Sequence, residues 1–360
     1  MSRLNKFLSG IKVIDLSRHL PGPLATLYLA DMGADVLKIE PPGGDEIREI
    51  GPKDAHGRPV YFETITAGKT VQTLNLKEPT DRARFLALVK RADVLVESFR
   101  PDVMTKLGLE YETLRQMNPR LVYCAINGFG RGSPLESAAG HDANFLGLAG
   151  ILARNGIEKP MFYEPAVADC TAALTAVIAV LGALQVRDRD GTGCQIEVAL
   201  ADVAMPLQML QLSEMEASGI NPRADTGLFT GGTAYYQTYT TADERHMVLG
   251  AVEPKFWQAF CVAAERPDWI NRQQEPTPQV ALRADVASFF QRMTLSQCID
   301  RFARVDCCLT PVLDLHEALE SEHVRQRGLV RKGSDGRTQA LFPAHVNGEP
   351  PQPRRPIQKA

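Results

Sequence analysis

The 360-residue chain lacks any excess of charge: 40 lysines and arginines against 43 aspartates and glutamates leave a net charge of -3. With no basic field to hold a phosphate backbone, no nucleic-acid partner is expected. Long apolar runs are missing too. The longest, Thr171 to Val186, falls short of the roughly 20 residues a bilayer span needs and contains two threonines, so it reads as a buried core helix and no membrane span is expected. The opening MSRLNKFLSG has no apolar signal-like stretch, and the 7 cysteines form no C-x-x-C pair. An odd number of unpaired cysteines argues for reduced thiols in a cytoplasmic protein, with neither a disulfide framework nor a zinc site. Proline and glycine are dispersed and no internal repeat is visible, which leaves an ordinary globular chain long enough for two domains.

Familiar catalytic signatures are also absent. There is no H-E-x-x-H and no G-x-S-x-G, which removes common metallopeptidases and serine hydrolases. Gly128 to Ser133 has two glycines of a dinucleotide loop but lacks the third, and Pro134 follows where a helix should open. Thr66 to Thr70 contains Gly-Lys-Thr, yet Glu63 stands five before Gly68 where a phosphate-cradling loop needs its first glycine. His316 and His323 are seven apart, about 10 Å along one helix, too far to share a metal. No metal is expected, and acid–base or carboxylate chemistry remains.

What is present is organised. IKVIDLS, ADVLKIE, VQTLNL, ADVLVES and LVYCAIN read as strands, with LATLYLADMG and DRARFLALVKRA as helices between them. Strands alternating with helices imply right-handed crossovers and a mainly parallel, doubly wound sheet. GCQIEVALADV adds a strand running into a helix after Gly191-Thr192-Gly193. Beyond about Leu210 the pattern changes to a smaller α+β domain, with a hairpin turning at Ala242-Asp243 and helices near 254–264, 285–293 and 295–305. The fold class is therefore α/β, with a large domain over 1–200, a small domain over 210–325, and a proline-rich segment over 330–360 that wraps back over the structure or over a partner chain.

Three residues stand out as carriers of proton chemistry: His141 before an apolar helical pattern, Asp169 at the mouth of the apolar helix, and Glu253 where a strand meets Pro254. Each also has a purely structural reading. Asp169 fits a helix N-cap, Asp142 fits a cap that would leave His141 a loop residue, and Glu253 fits a helix entry. An almost wholly apolar helix must be buried, however, and its start would set unpaired N–H donors beside Asp169. A carboxylate, an imidazole and such donors are the parts needed to remove a proton next to a carbonyl.

SGIKVIDLSRHLPGPLATLYLADMGADVLKIEPPGGD, VQTLNLKEPTDRARFLALVKRADVLVESFRPDVMTKLGL, GCQIEVALADV and CLTPVLDLHEALESEHVRQRGLV together resemble the family III CoA-transferase and α-methylacyl-CoA racemase superfamily. The resemblance implies a homodimer of two interlocked chains, each with a CoA-binding Rossmann-like domain and a smaller second domain. It also implies that coenzyme A enters as part of the thioester substrate, with no other cofactor.

Two chemistries compete within that superfamily. In its transferases the aspartate matching Asp169 attacks an acyl-CoA carbonyl, giving a mixed anhydride and then a thioester on the aspartate. In its racemases the matching aspartate and a Gly-His-Asp histidine, here His141, act as bases on opposite faces of the α-carbon, with Glu253 of the Glu-Pro pair holding the imidazole. AGHDANFLGLAGIL, GGTAYYQTY and GAVEPKFW resemble racemase segments, so the expected reaction is epimerisation of 2-methylacyl-CoA thioesters, as in fatty acid metabolism. The N–H groups at Asp169 and Cys170 would face the enolate oxygen, and Arg100, Lys69 and Lys38 are the expected CoA contacts. A CoA-transferase, or a catalytically silent acyl-CoA binding protein, are the competing readings.

Overall fold

The computed structural model describes residues 3–221 and 223–360. The chain divides into two compact units, one of 1–149, 163–207 and 321–360, the other of 150–162 and 208–320.

The first unit is built on a parallel sheet. Its strands are β1 (Lys12–Asp15), β2 (Asp35–Glu40), β3 (Thr70–Thr73), β4 (Val94–Glu97), β5 (Val122–Asn127) and β6 (Gln195–Ala199). Their order is β3-β2-β1-β4-β5-β6, with β1 at the centre pairing Val13 with both Val36 and Val94. Every residue of β4 and β5 is buried, which is why these strands read as continuous apolar runs: helices cover both faces of a parallel sheet.

Helix Pro21–Asp31 follows β1, entering on prolines whose fixed φ suits a first turn. Against it and against β5 and β6 lies the long helix Val167–Asp190, ended by Gly191 at φ 77, a left-handed turn that suits glycine. Ala172, Ala173, Ala176, Val177, Val180 and Leu184 form its buried face. Arg187, buried near its end, reaches Asp93 at 2.7 Å. The helix differs from the expected fully buried rod. It extends to 24 residues, long and apolar enough by length and composition to cross a membrane, and its other face leaves Leu174 and Ile178 exposed.

The proline-rich C-terminal segment has more structure than its sequence suggests. Val330–Lys332 and Thr338–Ala340 form a hairpin, and Gln358–Lys359 extend the sheet in parallel beside β3. The Arg354 guanidinium grips both oxygens of Asp31 at 2.7 Å, while Gly68 donates its N–H to the Arg355 carbonyl at 2.8 Å. A bidentate arginine–carboxylate pair fixes direction as well as distance, so the segment is held on this unit.

In the second unit β7 (Tyr236–Thr240), β8 (His246–Gly250) and β9 (Leu309–Pro311) form an antiparallel sheet. Helices Pro254–Ala263, Val280–Phe290 and Leu295–Phe302 enclose an aromatic core in which Phe260 stacks on Trp257 and Phe290. Tyr239 belongs to that core, its hydroxyl donating to the Ala234 carbonyl at 2.6 Å. The Asp243 carboxylate of the hairpin turn accepts from the Thr241 hydroxyl and from the Leu295 N–H, tying the turn to a helix start. Gly150–Phe162, expected within the large domain, belongs to this unit. The single helix expected through His316 and His323 is two short helices broken at Ser321, whose hydroxyl caps the second by accepting from the Val324 N–H.

Candidate active site

Asp169 lies in the first turn of the long helix, not at its cap; Ala166 occupies the cap position and has no side-chain acceptor to offer. The capping group comes from elsewhere. Asp142 Oδ1 accepts from the N–H of Ala168 at 2.6 Å and of Asp169 at 3.2 Å. Asp142 is also the first residue of helix Asp142–Leu148, whose own cap is His141, exposed and donating its backbone N–H to Asn144 Oδ1 at 3.0 Å. The Gly-His-Asp segment and the Asp169 turn are thereby held together.

Burial pushes the Asp169 carboxyl up to about 6, the neighbouring Asp142 pushes the same way, and His141 opposes both. The result is a carboxyl that can give and take a proton near neutrality, within electrostatic reach of an imidazole. Cys170 is half-buried beside it, its thiol raised by burial and by the two carboxylates.

The helix-start donors differ from the expectation. The Asp169 N–H is taken by Asp142 and the Cys170 N–H by the Ala166 carbonyl at 3.1 Å, so neither stands free to meet an enolate oxygen. Satisfied donors are the rule for a helix start in a protected interior, and the acidic residue after His141 supplies that satisfaction.

Of the expected CoA contacts, Lys69 is turned inward and Lys38 is paired. Lys69 is fully buried and its ammonium is spent on Asp15 Oδ2 at 3.0 Å, the Pro23 carbonyl at 2.8 Å and Thr26 Oγ1 at 2.7 Å. It is a structural lysine locking the end of β1 to helix Pro21–Asp31. Lys38 is buried against Asp45 Oδ2 at 2.9 Å and the Ser17 carbonyl at 2.8 Å. Its side chain lines a cavity at the carboxyl edge of the sheet. Arg100 is exposed and donates to the Ser137 carbonyl at 3.3 Å.

That cavity, about 430 Å³, crosses the carboxyl ends of β1, β2, β3 and β4. In a sheet ordered 3-2-1-4-5-6, the strand order reverses between β1 and β4, and ligands bind in the crevice outside the carboxyl ends. Its walls include Leu16, Leu74, Phe99 and Leu107, with Lys77 and Lys106 exposed at its edge. The sequence reading passed over Lys77 and Lys106. Their signal was positional: Lys77 lies in the turn after β3, and Lys106 ends the short helix Val103–Lys106 that follows β4. Glu253 belongs to the second unit, exposed at the cap position of helix Pro254–Ala263, where the exposed thiol of Cys308 feels its charge.

A crevice at the carboxyl edge of a parallel sheet, where the strand order reverses, is the usual place for a ligand in a doubly wound α/β protein. The chain belongs to CoA-transferase family III, whose family model matches residues 8–357. It is 32% identical over 326 residues to the α-methylacyl-CoA racemase of Homo sapiens, covering 89% of this chain and 81% of that protein. It is also 32% identical over 344 residues to the succinyl-CoA:mesaconate CoA-transferase of Haloarcula marismortui, covering 90% and 84%. Among solved structures it is similar to a CaiB/BaiF family protein from Brucella suis, with a TM-score of 0.85, 28% identity and coverage of 97% and 96%. It is thus an enzyme of the superfamily that holds both family III CoA-transferases and racemases.

Proposed function

We propose that this chain epimerises 2-methylacyl-CoA thioesters by moving the α-proton between His141 and Asp169. The observation that carries the reading is the bond from the residue after His141 to the Asp169 turn: Asp142 accepts from the N–H groups of Ala168 and Asp169, which holds the imidazole's segment beside a carboxyl raised to about 6. One group removes the α-proton, the electron pair moves onto the thioester oxygen, and the other group returns a proton to the opposite face. Two groups are required because a single base on one face would mostly restore the original configuration. The coenzyme A portion takes the cavity at the carboxyl ends of β1 to β4, with Lys77 at its edge available to a phosphate and Lys106 reached by exchange from its exposed pair with Asp102.

Incubation with a 2-methylacyl-CoA in D2O, followed by NMR, tests the proposal. α-Deuterium incorporation with loss of stereochemistry is the expected outcome, and His141→Ala should slow it by about 10²–10⁴-fold. Full exchange in that variant rules out the two-base scheme.

A second reading, CoA transfer, is favoured by one local feature: Cys170-Thr171-Ala172-Ala173-Leu174 after Asp169 resembles the transferases of the superfamily. There Asp169 attacks the thioester carbonyl, the CoA thiolate leaves, and an acyl-aspartyl anhydride carries the acyl group. Acquisition of CoA by a free carboxylic acid, without α-proton exchange, would select it.

The assembly we propose is a homodimer. Met209, Leu210, Leu212 and Met215 are exposed along helix Met209–Ser218, and Leu174 and Ile178 are exposed one turn apart on the long helix, so each helix carries a run of apolar side chains and not a scattered one. Light scattering should return the mass of two chains, and Ile178→Arg should lower the dimer's stability against dilution; a wild-type monomer at micromolar concentration overturns the assignment.

A further inference from the structure

We infer that Asp142 is the positioning residue of the acid–base pair: one carboxylate clamps the helix turn that bears Asp169 onto the segment that bears His141. The inference rests on the proton-transfer reading given above.

The geometry has an economical cause. The long helix begins at Ala166, which offers no side-chain acceptor, so its first N–H donors need a partner from another part of the chain. Asp142 supplies it from 26 residues away, with a single oxygen bonded to two successive N–H groups. The same residue stands in the first turn of helix Asp142–Leu148, where a negative charge is also favoured. One carboxylate therefore serves two helix starts. Because its neighbour in sequence is His141, any displacement of this clamp moves the imidazole relative to Asp169.

The clamp also has a charge, and this separates it from a neutral cap. The charged and titratable groups that act on Asp169 and on its neighbour are His141, Asp142 and the Cys170 thiol. Of these, Asp142 makes the Asp169 carboxyl hold its proton more tightly, in the same direction as burial. A serine or threonine in this place would cap the helix equally well and leave Asp169 the weaker base. An acidic clamp keeps the carboxyl able to act in both directions of a reversible proton transfer.

Asp142→Asn is the decisive variant, since it keeps an acceptor oxygen and removes the charge. The limb of the pH–rate profile for α-proton exchange that reports Asp169 should move down by roughly one pH unit. A 13C-carboxyl NMR titration, with the Asp169 resonance assigned by its loss in Asp169→Asn, should move with it. Asp142→Ser keeps a neutral acceptor and reads the same shift should the asparagine variant fold poorly. Asp142→Ala removes the acceptor as well and should cost a further 10-fold or more in exchange rate. An Asp169 titration unchanged in Asp142→Asn and Asp142→Ser overturns the inference. The titration needs no turnover, so a protein that exchanges no α-proton would defeat the epimerase reading while still deciding the role of Asp142.

Discussion

Asp169→Asn should abolish α-proton exchange, by about 10³-fold or more, and at the same time make the protein harder to unfold at pH 8. The two effects have one origin. Burial and Asp142 raise the Asp169 carboxyl from its ordinary 3.8 to about 6, so the folded state carries a carboxylate it holds poorly. The unfolded chain releases this proton near pH 4, whereas the folded chain keeps it until about 6. Between those values the folded state binds more protons, so stability falls as pH rises through the interval and stays lower above it. Asparagine removes the charged form. Denaturant titration should show a gain of roughly 1–3 kcal/mol at pH 8 that shrinks toward zero at pH 4. Equal stability of the two proteins at both pH values would refute the origin proposed for the strain.

Asp15→Ala should have the opposite sign and a larger size. Asp15 is fully buried and accepts from the Ser17 N–H, the hydroxyls of Ser17 and Thr26, and the Lys69 ammonium. Burial alone would raise its carboxyl, but Lys69, Lys38 and the two hydroxyls outweigh burial and hold it well below the usual carboxylate range. Removing it strands a buried ammonium, a loss of about 3–5 kcal/mol when one partner of such a pair is deleted. Lys69→Met should cost less, because the donors from Ser17 and Thr26 remain on Asp15. The contribution of Asp15 is present above its unfolded pKa near 4 and is lost as pH falls below that value. Urea unfolding of both variants at pH 7 checks the order, and a milder Asp15→Ala would sink the argument.

These two aspartates mark the limits of reading the chain by pattern. The alternation of IKVIDLS, ADVLKIE and ADVLVES with helical segments specified the parallel sheet, since periodicity is a local property. His141 and Asp169 stood out for the same reason: each precedes an apolar helical run. Lys69 did not declare itself, because Gly-Lys-Thr in a loop has the same appearance whether the lysine meets phosphate or a buried aspartate 54 residues earlier. Asp142 was legible only as a cap for its own helix, and its bond to a helix 26 residues onward follows from tertiary packing. Gln358–Lys359 were hidden among prolines, as two residues are too few to show a period. In each case the missing information was the identity of a distant partner.

The pairing of Gln358 with Thr70 and of Arg354 with Asp31 also bears on how the protein is made. During synthesis β3 emerges early, yet the backbone groups on its outer side stay without their strand until nearly three hundred further residues have been translated. The large unit therefore closes this edge late, whatever its strands β1 to β6 achieve earlier in synthesis. Through that interval the nascent sheet presents a border of unpaired backbone groups, the kind of edge another strand can join.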